Sequence, residues 1–159
     1  TLLPSSQLDR FLIRLSMGYP DHKSQINILR DRHSENPLDR VQPVVTKDEL
    51  LELVQETRNV EANDRIFDYV TTLAEATRTH PMVELGVSPR GALALCRMAK
   101  AHAFLAGRDY AVPEDVAAVF PDVCAHRLIL SAKARMMEEK AENILAEILK
   151  SVDMPVLKA

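Results

Sequence analysis

SPRGALALCRMAKAHAFLAG, residues 88–107, carries the start, body and end of one helix in its own letters. Ser88 stands where an N-cap is needed, and Pro89 follows at the first helical position, where its missing N–H removes no hydrogen bond. Ala92, Leu95, Cys96, Ala99, Ala103 and Ala106 recur as one stripe, while Leu93, Met98, Ala101 and Leu105 cover much of the remaining surface. Gly107 is placed to end the helix. A helix that is apolar nearly all round belongs at the centre of a bundle, and its alanines allow neighbours to approach closely. Arg90 is the odd residue. It sits in the first turn, at the positive end of the helix dipole, where a carboxylate would be favoured.

Helical signals extend on both sides. Residues 5–10 read as a short helical turn that Ser5 could cap. FLIRLS, 11–16, is short and apolar with Arg14 as its only charge, and reads as a strand. Asp21 can cap a helix carrying Ile26, Ile28 and Leu29 that ends before ENP at 35–37, and 36–45 is a proline-punctuated loop with an extended piece at Val44 and Val45. Thr46 and Glu49 form a capping box ahead of a stripe of Leu50, Leu53, Val54 and Thr57. A further helix starts near Asn63, carries Ile66, Tyr69, Val70, Leu73 and Ala76, and stops before Pro81, whose ring disfavours a helical residue ahead of it. Pro113 opens another, with Glu114 and Asp115 in the dipole-favoured turn. Residues 131–150 read as one long amphipathic helix with Met137, Ala141, Ile144, Leu145 and Ile148 on one face.

The composition agrees with a helical domain. The 159 residues suffice for one core, 47% are hydrophobic, and aromatic residues are only 4% with no tryptophan, so Leu, Val, Ile, Ala and Met must fill the interior. A net charge of −3 gives no electrostatic case for nucleic acid or an acidic membrane. No apolar run approaches a membrane span and no secretory signal opens the chain, so the expected location is the cytoplasm. Cys96 and Cys124 lie apart in apolar helical patterns and read as reduced thiols. The opening TLLPSSQLDRF, without an initiator methionine, is that expected of a fragment or a processed product.

Two readings compete for Arg90. It can be a surface arginine whose stem covers apolar surface, at a dipole penalty of about 1 kcal/mol at most. Alternatively it and the helix N-terminus converge on an anion, which free N–H groups and a guanidinium together favour. Asp9 reads as a solvated turn acid, Arg108 and Asp109 as a weak local ion pair, and His102 as a satisfied boundary histidine. RMMEEKAE, 135–142, reads as a solvated helical face, and His126 and Arg127 as cations near a helix end. None of these is assigned to chemistry.

SQLDRF (6–11), GVSPR (86–90) and GRDYAVPEDV (107–116), in this order, resemble the MoxR family of AAA+ ATPases, and the resemblance covers nearly the whole chain. It matches the C-terminal half of such a protein. The implied fold is mainly α, a helical bundle of the AAA+ lid type preceded by a remnant helix and strand of the α/β core. The implied domains are 1–35 for the end of the core, 36–130 for the lid, and 131–159 for a C-terminal helix and tail.

The resemblance makes Arg10 the arginine finger, acting in trans on ATP held by a neighbouring subunit, and Arg90 the sensor-2 residue, acting in cis on its own subunit's nucleotide. It implies ATP and Mg²⁺ as the ligands of the parent protein. It also implies a homo-oligomeric ring, commonly a hexamer, with chaperone-like action and von Willebrand factor A-type domain proteins as partners. No G-x-x-x-x-G-K-[ST] occurs and no acidic strand precedes Arg10, so the parent is expected to be an ATPase while this chain alone binds ATP weakly or not at all. The rival reading is a non-enzymatic helical interaction module. FLIRLS, separated from a sheet, is expected to be mobile, to fold over the bundle, or to pair with another copy.

Overall fold

The computed structural model describes residues 2–156. Its chain falls into two units, one formed by the residues up to Arg14 together with those from Gln55 onward, the other by Leu15–Val54.

The larger unit is a helical bundle with a small sheet. It contains α1 (Ser5–Leu8), α4 (Asp64–Thr79), β1 (Val83–Leu85), α5 (Pro89–Leu105), α6 (Pro113–Cys124), a 3-10 turn (Ala125–Arg127), β2 (Ile129–Leu130), α7 (Ala132–Met136) and α8 (Ala141–Ser151). The intervening labels belong to α2 (His22–Ser34) and α3 (Lys47–Arg58); α3 begins in the smaller unit and ends in the larger. Ile66, Tyr69, Val70 and Leu73 of α4 meet Leu95 and Ala99 of α5, Val116, Phe120 and Val123 of α6, and Ile144, Leu145 and Ile148 of α8 in one core. The bundle is mainly helical, in keeping with the expected fold class.

The caps read from the sequence are present. Asn63 accepts the N–H of Ile66 at 3.2 Å, and Ser88 accepts that of Gly91 at 3.1 Å, with Pro89 first in α5. Gly107 ends α5 with φ 80°. The burial of α5 is narrower than expected. Its buried face is Gly91, Ala94, Leu95, Ala99 and Ala103, whereas Leu93 and Leu105 are 53% and 85% exposed. Its small residues pack against α6 and α4 while the face carrying Leu93 and Leu105 stays open, so α5 borders the bundle rather than running through its middle.

Three expectations are corrected, and one pairing was not expected. Ser5 is the first residue of α1 rather than its cap, which falls at Pro4 with no side-chain bond. FLIRLS forms no strand: it is irregular, with a bend at Leu12, Arg14 N–H donating to the Asp122 carbonyl at 2.9 Å and Ile13 packed on the core. The last turn of α6 takes the Arg14 N–H, and His126 and Arg127 donate to the Phe11 and Leu12 carbonyls, in place of a sheet, so the expectation that it folds over the bundle holds up to Arg14. The long helix over 131–150 is broken between α7 and α8, where Glu138 adopts φ 55°. RMMEEKAE is therefore mostly a junction between two helices, and Glu139 starts the second by accepting from Lys140 N–H and Asn143 Nδ2, each at 3.1 Å. Finally, β1 and β2, unforeseen, pair antiparallel with Val83 opposite Leu130 and Leu85 opposite Ile129. The C-terminal tail ends in 157–159, outside the described residues.

In the smaller unit Asp21 caps α2 by accepting the Ser24 N–H at 2.7 Å, and Asn36 opens a 3-10 turn over Pro37–Arg40. Thr46 and Glu49 exchange bonds of 3.1 and 3.0 Å at the start of α3. Val44 and Val45 join no strand. Ile26, Ile28, Leu29, Leu50, Leu53 and Val54 stay exposed. A segment this short has too little apolar surface to enclose a core of its own.

Gly107 provides a local test. A Cβ there meets no atom within 4 Å, so the only penalty of Gly107→Ala is the left-handed backbone. We expect a loss of about 1 kcal/mol in denaturant unfolding.

Candidate functional site

The site is built where the first residues of the chain meet the start of α5. Ser88 has two bonding roles. Its hydroxyl oxygen accepts the Gly91 N–H, and its O–H donates to the Asp9 carboxylate, with 3.1 Å to either oxygen. Asp9 also takes Arg127 Nη1 on its Oδ1 at 2.8 Å. It is thus a partnered acid rather than the solvated turn residue expected.

Arg127 is the most heavily bonded cation of the region. Its side chain is 2% exposed. Nε donates to the Val123 carbonyl at 2.8 Å, Nη1 to the Asp9 carbonyl, and Nη2 to the carbonyls of Phe11 at 2.7 Å and Leu12 at 3.4 Å. Gly91 makes room for it: a Cβ at Gly91 would lie 3.1 Å from Arg127 Cδ and 2.7 Å from Val87 Cγ1. His126 Nε2 donates to the Phe11 carbonyl at 2.8 Å, while its buried Nδ1 has no partner. Burial holds His126 below the usual histidine range and Arg127 and Arg14 push the same way, against the opposing pull of the Phe11 carbonyl and Asp9.

These bonds hold residues 9–12 against the bundle and bring Arg10 and Arg90 to one open cavity of about 590 Å³. Leu12, Leu93, Ala94 and Arg97 complete most of its wall. Arg90 and Arg97 are seven residues apart on α5, two turns along the same face. Among the described residues, no hydrogen bond or ion pair engages the guanidinium groups of Arg10, Arg90 or Arg97. The first turn of α5 carries no acid. With the Asp9 charge matched by Arg127, three unpaired guanidiniums face the cavity. That arrangement suits an anion with several oxygens, such as a phosphate chain. Among the described residues, the one carboxylate of the wall, Asp9, is engaged by Arg127 and Ser88, and no cluster of metal-ligating side chains occurs.

Sequence reasoning found Arg10 and Arg90 and missed Arg97 and Arg127. The seven-residue spacing from Arg90 was a usable signal for Arg97. Arg127 had none, because its partners at the site, Asp9, Phe11 and Leu12, lie more than a hundred positions away.

A second polar cluster ties the far end of α5 to α6. Arg108 pairs with Asp115, at 2.6 and 2.7 Å, and not with Asp109 as expected. His102 meets the same carboxylate at 2.7 Å, in line with its reading as a satisfied boundary histidine. Neither thiol is primed for reaction. Burial pushes Cys124 up to about 12 and raises Cys96 as well, and both are free.

Comparison with known proteins completes the description. Residues 75–148 match the AAA lid domain family. The chain is 40% identical over 157 residues to Bacillus subtilis protein YeaC, covering 99% of this chain and 49% of that one. It is 31% identical over 166 residues to the chaperone MoxR1 of Mycobacterium tuberculosis, covering 99% of this chain and 44% of that one. The crystal structure of a "putative ATPase" from Cytophaga hutchinsonii superposes with a TM-score of 0.91 at 32% identity, over 98% of this chain and 50% of the other. The chain spans about half the length of the curated relatives it matches.

Proposed function

The chain belongs to the MoxR family of AAA+ proteins, and from that premise we propose that it supplies the phosphate-contacting arginines of an ATP-hydrolysing ring. The observation that carries this reading is the cavity on which Arg10 and Arg90 stand without protein partners. Arg10 is the arginine finger: its guanidinium meets the γ-phosphoryl group and stabilises charge that develops as the group passes to water. Arg90, beside a helix N-terminus, binds phosphate oxygens of the same nucleotide. The phosphate takes the place of the missing first-turn acid.

Arg10 and Arg90 on one wall favour one nucleotide for both, bound by a neighbouring subunit. The division expected from the sequence, with Arg90 serving its own subunit, requires the two side chains to face different nucleotides. Mixing experiments separate the two. We expect Arg90→Ala to lower hydrolysis about tenfold or more. Mixed with subunits that lack a working P-loop but keep Arg90, the mutant is expected to recover activity at shared interfaces. No recovery would assign Arg90 to its own subunit.

The described residues fit phosphate, no group of three or more potential metal ligands occurs among them, and the sequence has no P-loop pattern, so we assign the P-loop and the metal-binding acids to other parts of the parent protein. We further propose a homo-oligomeric ring, six subunits being the family's common number, with chaperone-like action and von Willebrand factor A-type domain proteins as clients or partners. Among the described residues no helix is long and apolar enough to cross a membrane. For the alternative of a pure interaction module, the same arginine substitutions would leave hydrolysis by the full-length protein unchanged.

A further inference from the structure

We propose that Arg127 is the positioning residue for Arg10, and that Asp9 and Ser88 transmit its hold to the start of α5. The inference rests on the reading of Arg10 as the finger.

Arg127 grips the chain on both sides of Arg10 and leaves Arg10 itself free. It donates to the carbonyl and carboxylate of Asp9, immediately before, and to the carbonyls of Phe11 and Leu12, immediately after. Its fifth donor, Nε, goes back to Val123 on α6, so the grip is anchored in the bundle. All three guanidinium nitrogens thus have protein partners, and the buried side chain has no donor to spare for a phosphate although it lines the same cavity as Arg10. Its charge is matched by Asp9, and Asp9 is fixed in turn by the Ser88 hydroxyl. Ser88 caps α5 and stands two residues before Arg90. One network therefore sets the place of Arg10 relative to Arg90.

The residues around the grip are built for an arginine. Gly91 leaves space against Arg127 Cδ that any other side chain would narrow. A lysine has the charge but not the planar fork, and cannot reach five acceptors in different directions from one nitrogen. Phe11 receives a second donor from His126, which keeps its carbonyl turned toward the bundle when Arg127 is replaced, so a lysine variant should loosen the segment without releasing it.

The test is made in the full-length ATP-hydrolysing protein with Arg127→Lys and, as a second variant of nearly unchanged shape, Asp9→Asn. Both are checked for folding by thermal unfolding. Misplacing a reacting group by about 1 Å can cost about 100-fold in rate, so we expect kcat to fall about 10- to 100-fold with little change in KM. Hydrogen exchange at the Arg14 amide, which bonds the Asp122 carbonyl, should quicken in both variants. The decisive measurement is the double variant Arg10→Ala/Arg127→Lys. A residue that acts only through Arg10 adds no further loss to that of Arg10→Ala, whereas an independent structural role multiplies the two losses. Multiplied losses, or normal turnover in both Arg127→Lys and Asp9→Asn while Arg10→Ala is impaired, would overturn the inference alone. Normal turnover in Arg10→Ala would overturn it together with the reading of the finger.

Discussion

Arg10→Ala in the full-length protein should lower ATP turnover about 10³-fold and leave nucleotide binding in the mutant subunit's own P-loop site intact. The magnitude follows from what a finger does. Its guanidinium contributes mainly while charge builds on the transferring phosphoryl group, and its loss corresponds to about 4 kcal/mol of barrier. The structure supplies the geometric grounds. Arg10 is exposed, has no partner competing for its guanidinium among the described residues, and is flanked by carbonyls that Arg127 holds. On the proposal that Arg10 completes a neighbour's site, mixing the mutant with subunits disabled in the P-loop should restore hydrolysis at interfaces where the intact parts meet. Steady-state hydrolysis and nucleotide titration on the same preparations check both halves. A fall in turnover under about twofold, less than 0.5 kcal/mol of barrier, would leave Arg10 an ordinary surface residue.

Local chemistry made much of this fold readable. Asp21, Thr46 with Glu49, Asn63, Ser88 with Pro89, and Gly107 each act within a few residues of themselves, and each start or stop lies where those letters put it. Readings that depended on distant partners fared differently. FLIRLS has strand composition, but a strand needs a neighbour to pair with, and its backbone is instead bonded by Asp122, His126 and Arg127. The break at Glu138 has neither glycine nor proline to announce it. β1 and β2 are three and two residues long, too short for alternation to register. The site divides in the same way. Arg10 and Arg90 sit in recognisable motifs eighty residues apart. What brings them to one cavity is the Asp9–Arg127 pair, a contact across more than a hundred residues that no local window contains.

The other large effect is expected on stability, at the opposite end of α5. Asp115 is 1% exposed, yet its carboxylate is surrounded by donors. Arg108 gives two bonds, His102 Nδ1 one, and the Val112 N–H one at 2.7 Å, which also caps α6. Burial alone would raise the carboxyl. The Arg108 guanidinium, the Val112 N–H and His102 together outweigh it and hold it at about 2 against 3.8 in a free chain. Asp115→Ala removes the shared acceptor and leaves those donors facing one another, so we expect a loss of about 3 kcal/mol in denaturant unfolding. The same cluster sets an acid limit on the bundle. A carboxyl depressed on folding contributes stability that is complete above the unfolded value near pH 4 and lost as pH falls toward 2, because the unfolded chain binds the proton first. The contribution is about 2 kcal/mol, and the wild-type stability curve should steepen across that interval while the Asp115→Ala curve lacks this component. Parallel curves for the two proteins between pH 4 and 2 would show that Asp115 is not held low. The arginines at the cavity give the opposite signature, since Arg10→Ala should change turnover and leave the unfolding curve where it was.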